Sequence, residues 1–133
     1  LEHISNFHIS VDAGSEEVYQ IVRNPGKFSV LRDNLIWLRD NRPKNSVVTL
    51  LFVVSMMNVS DIINFSKLVD EFGFRVEYTK LDNWGTFKDF AAHDVTLVNH
   101  PSHQTMCEQL NLVANKDNII ISPFLQKFVK TSC

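Results

Sequence analysis

Polar and apolar residues alternate from about Asn6 to Asp12, with Phe7, Ile9 and Val11 on one side. This period of two predicts a half-buried strand. Asp12-Ala13-Gly14 breaks the pattern, and a helix start follows directly. Ser15 stands as its N-cap, with Glu16 and Glu17 in the first turn, where the helix dipole favours acids. Val18, Ile21 and Val22 supply its apolar stripe, and Asn24-Pro25-Gly26 ends it. A second helix is predicted from about Phe28 to Asn41, with Leu31, Leu35, Ile36 and Leu38 facing inward and Arg42-Pro43 as its stop.

The pattern changes at "SVVTLLFVVSMMN", residues 46–58, which is continuously apolar and β-branched through its middle. Such a run predicts a strand buried on both faces, as in a parallel sheet covered by helices. Ser60 caps the next helix, along which Ile62, Ile63, Phe65, Leu68, Val69 and Phe72 recur at helical spacing. Gly73 is its C-terminal stop. "FRVEYTKL", residues 74–81, alternates as a third strand. "DNWGTFKDF" reads as a loop with a short helical piece. A later helix is predicted from Pro101 to Ala114, with Pro101 at the first helical position, and "NIIIS", residues 118–122, as a fourth short strand. The order β-α-α-β-α-β predicts an α/β fold of three to four mostly parallel strands with covering helices, joined by right-handed crossovers.

Composition fits this reading. The chain has 133 residues, 44% hydrophobic and 21% charged, enough for one domain that buries roughly two thirds of its unfolded surface. Its core is expected at 4–81, with a loop, a helix and a short strand over 82–133. A net charge of −2 argues against nucleic-acid binding, which needs a basic excess. The longest apolar run has the length of a buried strand, too short to span a bilayer. No signal-peptide pattern is visible, and the two cysteines, Cys107 and Cys133, make no disulfide framework. A reduced cytoplasmic setting is expected. The chain opens without Met, which leaves a fragment, a processed product or a trimmed form open.

Ligands of parallel α/β sheets sit at the C-terminal ends of the strands. Those ends carry Ser10 and Asp12, then Ser55 and Asn58, then Asp82, Asn83 and Trp84. Asp12 can hydrogen-bond a sugar hydroxyl, or can cap its own turn. His100, His103 and Cys107 are spaced i, i+3, i+7 on one helix face, a set of residue types that zinc accepts, with His93 or Asp94 as a fourth ligand. The bland alternative is two surface histidines beside a core cysteine. Only four glycines are present, and neither a GxGxxG nor a P-loop pattern occurs.

Taken together, "ISVDAGSEEVYQIVRNPGKFSVLRDNLIWL", "VVTLLFVVSMMN", "FSKLVDEFGFRVEYTKLDNWGTF" and "NHPSH" resemble the second half of a radical S-adenosylmethionine (SAM) enzyme. The resemblance covers most of residues 4–105 and lies in order and spacing, not in one motif. It implies half of a (β/α)6 barrel. In the family a strand ends in Ser-x-Asp and leads into a helix carrying an Arg, and the next strand ends near an Asn. Ser10, Asp12, Arg23 and Asn58 hold those positions here. The resemblance therefore implies SAM contacts, with Asp12 and Asn58 at the nucleoside and Ser10 and Arg23 at the methionine end.

The family's CxxxCxxC loop is absent, and two cysteines cannot ligate a four-iron cluster. The chain alone is therefore expected to carry no cofactor and no catalysis. SAM and a [4Fe–4S] cluster enter only if an N-terminal half is supplied by another chain. A half barrel also leaves a sheet edge and an apolar inner face unpaired, so a homodimer or a covering partner chain is expected. Three functions stay open. The first is a non-catalytic half-barrel module that acts through binding or self-association. The second is the C-terminal part of a radical SAM enzyme. The third is a small metal-binding protein using His100, His103 and Cys107.

Overall fold

A computed structural model describes residues 3–129 of the chain. Its elements are β1 (Asn6–Ser10), α1 (Glu16–Val22), α2 (Phe28–Asn41), β2 (Val47–Val54), a 3-10 turn (Val59–Asp61), α3 (Ile62–Phe72), β3 (Arg75–Lys80), α4 (Phe90–His93), α5 (His103–Val113), β4 (Ile119–Ile121) and α6 (Pro123–Gln126). The four strands form one sheet in the order β1-β2-β3-β4, and every neighbouring pair is parallel. The expected α/β class is thus observed, with helices after each strand. Among the described residues no helix is long and apolar enough to cross a membrane.

Strand register divides the sheet into two unlike faces. Ile9, Leu50 and Val76 lie in one row across the strands, as do Phe52, Tyr78 and Ile121. These residues, with Val48 and Val54, pack against Leu35 and Leu38 of α2, Phe65 and Val69 of α3, and Met106 and Leu110 of α5. All the long helices therefore cover the same face. This follows from the topology: right-handed crossovers that always step to the next strand in one direction keep their helices on one side.

The opposite face carries Asn6, His8 and Ser10 of β1, Thr49, Leu51 and Val53 of β2, and Arg75, Glu77 and Thr79 of β3. No residue of this set belongs to the core cluster. The expectation that β2 is buried on both faces is corrected here: its helix-facing residues are buried, while on the other face Thr49 alone is buried and Val47, Leu51 and Val53 are half-buried. The expected apolar inner face is corrected as well. Polar side chains flank the aliphatic residues of β2, so the uncovered face is mixed in character.

Spacing explains which helical residues reach the core. Phe28, Leu35 and Leu38 are buried, and they recur at seven and three residues, within one stripe. Ile36 is one residue off that stripe, about 100° around the helix, and is 38% exposed. The expected stripe of α1 does not form a core face: α1 has no buried residue, and Ile21 is 60% exposed. A seven-residue helix packed beside α2 leaves one side turned to solvent.

Two glycines are required where they stand. Gly73 ends α3 in the left-handed region, φ 68°, as a helix stop of this type needs. Gly14 lets the β1–α1 loop touch the start of α3, since a Cβ there would sit 2.1 Å from the Phe65 backbone nitrogen. Its N–H donates to the Asp61 carboxylate at 2.5 Å, and Asn64 donates to the other oxygen of the same group at 2.9 Å.

Candidate functional site

The β1–α1 loop and the β2–α3 turn meet at the C-terminal ends of their strands, and Asp12 is the residue that joins them. Its Oδ1 accepts from Val53 N at 2.7 Å. Its Oδ2 is paired with Arg23 Nη2 at 2.5 Å. Arg23 is the C-cap of α1, so the helix returns its last side chain to the loop from which it started. Asp12 itself holds φ 63°, a left-handed conformation that Asp tolerates better than most side chains. Sustained at a strand end, such backbone strain marks a position that its surroundings hold in place.

Asn58 closes the arrangement. Its Oδ1 accepts from Ser55 N at 2.8 Å, and its Nδ2 donates to Asp12 O at 3.0 Å and Val53 O at 2.8 Å. Asn58 is buried, and both of its amide protons are committed. It positions Asp12 and has no donor left for a ligand in this conformation. Ser55 Oγ accepts from Met57 N at 3.2 Å and lies 3.5 Å from Asn58 Oδ1, a separation at which its own proton is only weakly held.

A cavity of about 120 Å³ opens beside these groups, lined by Asp12, Ser55 and Asn58 with Val22, Val53, Met57, Leu81 and Phe87. Of the four residues expected from the sequence, Asp12 and Asn58 line it and Arg23 is bonded to Asp12. Ser10 does not line it; it is exposed on the uncovered face, in one row with Leu51, Glu77 and Ile120. Leu81 and Phe87 were not anticipated. Their signal was available in part, because the loop that follows a parallel strand closes over the strand ends. Asp82, Asn83 and Trp84 lie in the same loop, are exposed, and do not line the cavity.

The second expected cluster has a different outcome. His103 Nδ1 donates to Val95 O at 2.8 Å, and its Nε2 lies 3.6 Å from Cys107 Sγ. His100 Nε2 donates to Ala92 O at 2.7 Å, while its Nδ1 accepts from Ser102 N at 3.0 Å. These bonds tie Ala92 of α4 and the loop after it to the start of α5, and they occupy both nitrogens of His100 and Nδ1 of His103. Among the described residues no group of three or more His, Cys, Asp or Glu is placed to hold a metal ion. Cys107 is not a free thiol, so the expectation of reduced cysteines does not hold at this position. Cys133 lies outside the described residues.

The loop is anchored a third time through Lys80. Its ammonium lies 3.7 Å from the Asp94 carboxylate, within reach of the Phe90 and Phe124 ring faces. Asp94 is buried, and its Oδ1 accepts from Thr96 N and Oγ1.

These features define an α/β protein with a parallel sheet wound in one direction, helices on one face and a small polar cleft at the strand ends. No protein-family model, no curated protein and no solved structure matches the chain.

Proposed function

We propose that this chain is a binding module without chemistry of its own, and that its ligand inserts one end into the cleft beside Asp12. The observation that carries the reading is a carboxylate held by Val53 and Arg23 at a strand end, facing a cavity whose other walls are the polar Ser55 and Asn58 and the apolar Val22, Val53, Met57, Leu81 and Phe87. Each carboxylate oxygen keeps a second acceptor position. The cleft therefore suits a hydroxyl or amine donor on an apolar body, such as the sugar edge of a nucleoside. Its volume is below the roughly 300–1,000 Å³ that encloses a drug-sized ligand, so the rest of the ligand would lie over the uncovered sheet face towards Ser10. The sequence resemblance names SAM as the first compound to try.

Calorimetric titration of the purified chain with SAM, and with adenosine and methionine separately, tests this. Amide NMR shifts read in parallel should move at Asp12, Val53 and Ser55. Binding that weakens tenfold or more in Asp12→Asn supports the reading. No heat and no shift at millimolar ligand would overturn it.

A second reading rests on a separate observation, the uncovered face and the outer edge of β1. Ser5 O accepts from Val47 N, and Val11 N donates to Leu51 O. In a parallel ladder this alternation turns the odd residues of β1 towards β2. Asn6, His8 and Ser10 then present their backbone groups outward, as an edge that another strand can extend. On this reading the chain is completed by a second copy or by a partner chain, as a half of a radical SAM enzyme would be. Light scattering gives the mass in solution. His8→Pro removes one outward N–H at an edge position where proline is tolerated, so it should turn an edge-paired dimer into a monomer without unfolding it. A monomeric parent protein would exclude self-pairing.

A further inference from the structure

We infer that His100 is a latch that closes only when its imidazole is neutral, and that acidification releases the loop forming the Phe87 wall of the cleft. The two bonds of His100 determine its protonation state. A backbone carbonyl only accepts, so the 2.7 Å contact with Ala92 O requires a proton on Nε2. A backbone N–H only donates, so the 3.0 Å contact from Ser102 N requires a lone pair on Nδ1. The ring is therefore the neutral Nε2–H tautomer. An imidazolium carries protons on both nitrogens, and its Nδ1–H would face the Ser102 N–H. Protonation and the closed latch exclude each other.

The segment held by this latch bears on the cleft. Ala92 and His93 belong to α4, a helix of four residues with too few internal bonds to hold its own position. It is fixed from outside, by His100 on Ala92 O and by Met56 N on His93 O at 3.0 Å. The Phe87 ring, which lines the cleft, rests on the His93 ring at 4.6 Å between centroids. Loss of the His100 bonds removes one of two backbone anchors beneath that ring.

Few charged groups surround the latch. The cavity that His100 lines with Met56, Ala91, Ala92, Leu97, Pro101 and Ser102 has no acidic or basic side chain in its walls. The titratable groups on the packed elements are His93 of α4, Asp94 of the following loop, and His103 and Glu108 of α5; Glu108 accepts from Gln104 on its own helix. Asp94 is committed to Thr96 and Lys80, and His103 to Val95. No carboxylate among them is left to receive an imidazolium at residue 100. The latch stands whether or not the cleft holds a ligand.

Amide hydrogen exchange of residues 87–96, corrected for intrinsic rates, is compared at about pH 7.5 and about pH 5. Exchange should accelerate about tenfold or more at the lower pH, while the amides of β2 and β3 stay protected. His100→Gln keeps a donor for Ala92 and does not titrate, so it should remove the pH response. Nitrogen-15 shifts of the His100 ring provide a check that needs no variant, and should show an unprotonated Nδ1 at neutral pH. Equal exchange at both pH values, a response that survives in His100→Gln, or a protonated Nδ1 at neutral pH would each overturn the latch.

Discussion

Asn58 donates one amide proton to the carbonyl of Asp12 and the other to the carbonyl of Val53, so one side chain holds the ends of β1 and β2 together. Both carbonyls lie where a parallel sheet runs out of partners, and a buried carbonyl without a donor is costly. Asn58→Ala should therefore destabilise the fold by about 2–4 kcal/mol, since it strands Ser55 N and both carbonyls in a protected place. Asn58→Asp should be worse, because a carboxylate there faces two carbonyl oxygens. Urea unfolding followed by circular dichroism would measure both, and a loss below about 1 kcal/mol for Asn58→Ala would contradict the role given to it.

The two constrained glycines should respond differently to the same added methyl group. Gly14→Ala drives a Cβ into the Phe65 backbone, which cannot move without shifting α3. Gly73→Ala meets nothing within 4 Å and carries only the strain of a left-handed conformation, about 1–2 kcal/mol. We expect Gly14→Ala to exceed that range clearly and to give little folded protein. Melting temperatures that rank the two variants the other way would show that the loop gives way more easily than the contact suggests.

How far the sequence foretold this depends on whether local pattern or tertiary register decides the feature. The bounds of Phe28–Asn41 were legible, because its Pro-Gly entry and its Pro exit agree, whereas its expected stripe held at Leu35 and Leu38 and failed at Ile36. A mostly parallel sheet followed from alternating strand and helix patterns, and the sheet is parallel at every pair. The one-sided covering of β2 did not, since an unbroken apolar run looks alike whether its second face meets helices or polar neighbours. Only the register with His8, Arg75 and Glu77 shows the difference. At the cleft, Asp12, Arg23 and Asn58 were named from the resemblance and do come together. The positive φ of this loop falls on Asp12, and Gly14 serves the contact with α3. Close approach between distant segments leaves no mark in local sequence.

Tyr78 makes a pH prediction with a definite sign. Its ring is fully buried between Phe52 and Phe65, and its hydroxyl donates to Ile62 O at 2.8 Å. Burial pushes its phenol well above the usual tyrosine range, and the charges of Asp70 and Asp61 add to this. A group with a raised folded-state pKa gives stability that is fully present below its unfolded value of about 10 and is lost as pH rises beyond it. Stability should fall above about pH 10. In Tyr78→Phe it should be lower by about 1 kcal/mol at neutral pH and should decline less at alkaline pH. Parallel alkaline profiles of the two proteins would refute the assignment.

Lys80 and Asp94 offer a test by double substitution. Asp94 is nearly enclosed, with 7% of its side chain exposed against 24% for Lys80, so removing the cation leaves a carboxylate with only Thr96 and no counter-charge. For fully buried pairs the loss of one partner costs about 3–5 kcal/mol. The longer, partly wet contact here should cost about 2 kcal/mol in Lys80→Met, which keeps the aliphatic packing against Phe90 and Phe124. Adding Asp94→Asn removes the stranded charge, and Asn can still accept from Thr96. The double variant should therefore recover at least half of the loss. Because both residues hold the loop that carries Phe87, the single variant should also raise amide exchange at 87–96. Strictly additive losses in the two variants would mean that Lys80 acts through its ring contacts and its bond to Leu81 O and that Asp94 does not need its charge balanced.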